Sequence, residues 1–243
     1  MTNDVKERPI LFSAPMVRAI LDGRKVQTRR VVKLRDKDLH DDSAYLNGGS
    51  AAIALGHGVG GIVEWREQNG QWFGLSGYTT VVNIDCPYGQ VGDRLRVKES
   101  AWMWCKQVPN GKTKTGRDKF KYVPLREAPV FYVADDPERP TLDVQSSVGQ
   151  DGYKWRFKVG RFLPAWACRI ELEVTGVRVE RLREISEADA NAEGCAGGHG
   201  SIPSYPYNAI PREHFKNLWE SINGAGSWEA SPFVWVVSFR RIK

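Results

Sequence analysis

Leu21-Asp22-Gly23-Arg24-Lys25-Val26-Gln27-Thr28-Arg29-Arg30 carries the chain from a helix into a cluster of cations. Upstream, Ser13 is placed to cap that helix, Pro15 sits in its first turn, and Met16, Val17, Ile20 and Leu21 fall on one helical face. Gly23 stands where the helix must stop, because glycine accepts the left-handed backbone of a helix C-terminus. Lys25 and Thr28 then supply an amine and a hydroxyl, the groups of a base and a nucleophile. Arg24, Arg29 and Arg30 offer fixed positive charge to an anion such as phosphate. A solvated basic turn is the plainer alternative.

Outward from this segment, Asn69-Gly70 is a strong hairpin dipeptide. It predicts that Ile62, Val63 and Trp65 pair with Trp72, Phe73 and Leu75, with a further strand over Thr79–Ile84. Arg94–Trp102, Val130–Ala134 and Arg169–Arg181 alternate as strands, and the last strand starts at Phe233. Ser186 caps a helix that carries Glu193 and ends at Gly194. Pro211 opens another through Phe215, Leu218, Trp219 and Ile222, closed by Gly224. Stretches near 34–61, 106–128 and 135–152 lack the apolar surface to fold alone and read as loop insertions. Many strands, few helices and no βαβ alternation predict an α+β fold. The expected form is a mixed β-barrel with peripheral helices, one domain over residues 1–243.

The chain has 243 residues, 41% of them hydrophobic and nine of them Trp, which argues against disorder. No apolar run is long enough to span a membrane, and the polar N-terminus has no signal-peptide core, so an intracellular, cytoplasmic location is expected. Cys86, Cys105, Cys168 and Cys195 form no CxxC pair and are expected as free, mostly buried thiols. Cys195 with His199 and His214 is too loosely spaced to predict a metal site, and no Gly-rich tract has the dinucleotide pattern, so no cofactor is expected. The net charge of +6 favours a polyanionic partner. Cations crowd beside the opening segment (Arg24, Lys25, Arg29, Arg30, Lys33) and again over 106–121, where a solvated loop and a nucleic-acid contact are both open readings.

The pattern Gly23-x-Lys25-x-x-Thr28-x-Arg30 resembles the signature of the ASCH family, a branch of the PUA-like β-barrels. That family usually has Glu where this chain has Thr28. Thr is the choice of its small bacterial N4-acetylcytidine amidohydrolases, which also carry a Thr where this chain has Val26. The resemblance extends to Gly92-Asp93-Arg94-Leu95-Arg96-Val97-Lys98-Glu99, to the acid-bearing run Ile185–Gly194 and to the closing strand from Phe233 to Ile242. In its order the chain is similar to larger ASCH-type proteins common in phage and prophage genomes.

The resemblance implies a Lys25, Thr28 and Glu193 triad that hydrolyses the amide of an N4-acylated cytidine or a related modified base. Thr28 would be the nucleophile, Lys25 its base, and Glu193 would orient Lys25 or protonate the leaving nitrogen. Taken singly, the same residues read as a surface acid and a helix-end contact. Arg30 could hold a phosphate or a base edge, or pair with an internal acid. Tyr88 and Trp102, with Trp104, could stack a base or pack the core and rim. Trp219, Trp228 and Trp235 are assigned to packing. The competing expectations are a non-catalytic RNA- or DNA-binding module, with RNA favoured, and an interaction scaffold. No membrane partner is expected.

Overall fold

A computed structural model describes residues 5–33, 64–68, 71–76, 79–135 and 152–243. Its strands are β1 (Glu7–Leu11), β2 (Gln27–Val31), β3 (Glu64–Gln68), β4 (Gln71–Ser76), β5 (Thr79–Asp85), β6 (Arg94–Lys98), β7 (Ala101–Lys112), β8 (Asp118–Pro124), β9 (Val130–Tyr132), β10 (Tyr153–Lys158), β11 (Glu171–Arg181) and β12 (Phe233–Arg241). The helices are α1 (Ala14–Leu21), α2 (Glu187–Ala192) and α3 (Pro211–Asn223). The fold is α+β, mostly strand. One sheet has the order β1-β6-β11-β12-β2, a second β10-β7-β8 with β9 also on β7, and a third β3-β4-β5. In the described ladders β1 and β2 end the first sheet with one neighbour each, so these sheets are not closed into a barrel.

Two compact units divide the chain. The first comprises residues 1–8, 22–94 and 173–241, the second residues 9–21, 95–172 and 242–243. In the first, β2 runs antiparallel to β12, with Thr28 opposite Val237, Arg29 opposite Val236 and Arg30 opposite Trp235. Opposed residues share a face and neighbours alternate. One face therefore carries Gln27, Arg29 and Val31 with Val234 and Val236. The valines join Leu182, Ile185, Ala190, Cys195, Phe215, Trp219 and Trp228 in a core beneath α2 and α3. The other face carries Thr28, Arg30 and Trp235. The Trp235 ring lies 5.5 Å from that of Trp72 and 6.3 Å from that of Trp65. The β3–β4 hairpin forms as expected, but Trp65 stands opposite Gly74 instead of an apolar side chain. Ile62, Val63 and the Asn69-Gly70 turn lie outside the described residues.

In the second unit α1 buries Val17 and Ile20 as anticipated, with Ala19 in addition, while Met16 and Leu21 are half-buried, and Arg18 donates to the Ala134 carbonyl at 3.2 Å. The single strand expected over Arg94–Trp102 is two. The chain leaves one sheet after Lys98 and joins another at Ala101, with Glu99 between them bound to Arg169. The stretch 106–128 is no loop insertion: β7 runs on to Lys112 and turns through Thr113–Arg117 into β8. Its residues are largely exposed, so the buried-face alternation that marks a strand is absent. The other two expected insertions fall almost wholly outside the described residues.

Candidate functional site

Gly23, with φ of +73°, ends α1 and releases the chain toward β2. Lys25 then pairs with Glu193 as an isolated antiparallel bridge, and the Val26 amide donates to the Ala192 carbonyl at 2.8 Å. Glu193 is held there because Ser186 caps α2, its hydroxyl accepting from the Asp189 amide at 3.0 Å, and the helix ends at Ala192. Lys25 Nζ donates to Glu193 Oε2 at 2.6 Å and to the Glu193 carbonyl at 2.9 Å. Arg29 Nη1 reaches Glu193 Oε1 at 3.3 Å, and its Nη2 reaches Glu180 at 2.5 Å and Asp189 at 3.2 Å. Arg178 binds Glu180 at 2.9 Å and Asp189 at 3.0 Å.

Three cations thus answer three carboxylates. Balance of this kind lets Lys25, Arg29 and Glu193 be buried, since an unpaired ion there would keep its full desolvation penalty. Burial alone would push the Asp189 carboxyl up. Arg178 and Arg29 outweigh it and hold the group below its ordinary value.

Two of the three residues expected to be catalytic meet directly, Lys25 and Glu193. Thr28 is buried, but the alternation of β2 sends its side chain to the face opposite that of Arg29. Arg29, expected to contact a ligand, is enclosed by carboxylates. Arg24 is exposed and pairs with Asp22 at 2.8 Å. Trp102 belongs to the second unit, on β7, its ring 5.4 Å from that of Phe157.

Arg30 and Tyr88 share a pocket of about 530 Å³ in the first unit, with Lys33, Asp85, Asn223 and Trp235 also in its lining. Burial pushes the Tyr88 phenol up from its ordinary value and the Arg30 charge only partly opposes this, so the hydroxyl stays protonated at neutral pH. Sequence reading missed Asp85, Asn223 and Trp235 as site residues. The last had a usable signal, its register opposite Arg30, but that register appears only once β2 and β12 are paired.

The four cysteines are free and buried. Burial pushes Cys86 up to about 11 and Cys195 up to about 12, so neither is a thiolate nucleophile at neutral pH. Among the described residues no helix is long and apolar enough to cross a membrane. No family model, curated protein or solved structure matches the chain.

Proposed function

We propose that the protein is a nucleotide-binding module of the ASCH kind, in the PUA-like superfamily, taking a modified pyrimidine nucleotide, free or within RNA. One observation carries this reading: a single pocket gathers two cations, two aromatic residues and two short hydrogen-bonding side chains. Arg30 and Lys33 suit a phosphate, and the Tyr88 ring offers a stacking face. Asp85 suits the exocyclic amine of a cytosine as acceptor, and Asn223 suits a ribose hydroxyl. The pocket volume lies in the range of small-ligand sites.

Calorimetric titration with cytidine 5′-monophosphate and with N4-acetylcytidine tests this. Tyr88→Ala should weaken binding about tenfold, the usual loss for a base–aromatic stack. Arg30→Gln should weaken only the phosphorylated ligand and flatten its salt dependence. Affinity unchanged in both variants, or no binding by the parent protein, overturns the reading.

A second reading, the amidohydrolase, is supported by the 2.6 Å contact between Lys25 and Glu193. It requires Thr28 within hydrogen-bond reach of the amine, and the alternation of β2 speaks against that. Incubation with N4-acetylcytidine, free and within RNA, would release cytidine if it holds. Lys25→Arg and Thr28→Ala would each abolish that release, since arginine keeps its proton and alanine has no hydroxyl. A parent protein that releases no cytidine leaves the binding module alone.

A further inference from the structure

We infer that one face of the β10-β7-β8 sheet is a platform for single-stranded nucleic acid. The register sets Trp104 opposite Trp155, and Trp102 opposite both Phe157 and Phe131. It also sets Lys106 opposite Tyr153 and Val108 opposite Lys121. All of these side chains share one face. The other face sends Ala101, Met103 and Cys105 into the core of the second unit.

The aromatic face stays in contact with solvent: Phe131 is 36% and Phe157 47% exposed, and Trp104 and Trp155 are half-buried. Its rings are contiguous. Trp104 and Trp155 lie 5.2 Å apart between centres, and Phe131 and Trp155 5.1 Å. Lys106 Nζ stands 5.5 Å from the Tyr153 ring at the margin.

Charge selects the occupant. Of the seven cations on β7, β8 and β10, Lys154, Arg156 and Lys158 stand opposite Cys105, Met103 and Ala101 on the other face, while Lys106, Lys121 and, two residues before it along β8, Lys119 border the rings. A second copy of this face would meet like charge, and an uncharged partner would leave the lysines unanswered. Flat rings bordered by lysines answer a strand that presents base faces and phosphates together. Neighbouring strands lie roughly 4.8 Å apart, and alternate residues along a strand roughly 6.7 Å apart, so several bases can stack at once. Stacking is blind to base identity, and little sequence preference is expected.

Fluorescein-labelled twelve-residue oligo(U) and oligo(dT), followed by anisotropy and by tryptophan quenching, test the platform. Both should bind, and a duplex of the same length, its base faces already stacked, should bind at least tenfold more weakly. Phe131→Ala with Phe157→Ala should weaken the single strands tenfold or more. Both residues are exposed, and unchanged circular dichroism checks the fold. Lys119→Gln with Lys121→Gln should lower the slope of log affinity against log salt by about 1.4, since each phosphate contact on a single strand contributes about 0.7.

Tyr88→Ala should weaken cytidine monophosphate about tenfold and keep the oligonucleotide, so this platform and the pocket stand or fall apart. Equal oligonucleotide affinity for the phenylalanine variant and the parent overturns the inference. So does a parent that binds no oligonucleotide, or a dimer that the phenylalanine variant alone dissolves.

Discussion

Removing the Glu193 carboxylate leaves Lys25, with no side-chain exposure, facing a carbonyl as its remaining acceptor in that contact. A buried ion stripped of its partner typically costs about 3–5 kcal/mol, so Glu193→Gln should lower stability in urea by that order. Adding Lys25→Met should recover part of the loss, because the amine that faced the carboxylate goes too; a double variant worse than the sum of the singles would contradict the pairing. Asp189 gives the same network a pH dependence. Its carboxyl titrates below the ordinary 3.8, so the native state binds that proton more weakly than the unfolded chain. The stability it contributes is full above about that pH and is lost as pH falls through the depressed value. Acid titration of Asp189→Asn should show a shallower loss than the parent. The pairing of Lys25 with Glu193 was expected only through the resemblance of their two motifs to the ASCH family. The pairing of Arg29 was not expected, since nothing local tells an arginine aimed at carboxylates from one aimed at solvent.

At the scale of elements, the Gly92-Asp93 turn is fixed by one carboxylate. Asp93 accepts from the Lys6 amide at 3.0 Å and from the Gln90 amide at 3.1 Å, and it is buried. Asp93→Ala should cost about 1 kcal/mol in thermal or urea unfolding for each of the two part-buried hydrogen bonds it removes. Between α2 and α3, Gly197 has φ of +70°, and a Cβ there would collide with the Ala209 carbonyl. Gly197→Ala is expected to destabilise by more than about 1 kcal/mol, and by more than Gly198→Ala, whose φ of +94° strains a side chain but whose Cβ would meet open space. The helices were legible because Ser186, Pro211 and Gly224 are local signals that act within one turn. The β7–β8 hairpin was not, because its strands lie on the surface and its lysines carry no period.

Over the whole molecule, two ionic clusters hold separate parts of the chain. Glu99, 1% exposed, is gripped by Arg169 at 2.9 and 3.1 Å, and Arg169 also binds Asp135 at 2.6 Å. Arg169→Met should therefore cost about 3–5 kcal/mol. Among the described residues the hydrogen bonds and ion pairs of this cluster and of the one around Glu193 name no residue in common, so the two losses should add within about 0.5 kcal/mol. A larger coupling energy would mean that the clusters share strain. The sequence by itself determined the α+β class, the helix ends and the cationic, aromatic-rich character of the chain, since caps, glycines and composition act locally or in bulk. Only the tertiary structure decided that the described sheets stay open, that Thr28 and Arg29 part to opposite faces, and that Arg30 meets Tyr88. These depend on strand register, where a slip of one residue exchanges every side chain between faces, and register is set by contacts far apart along the chain.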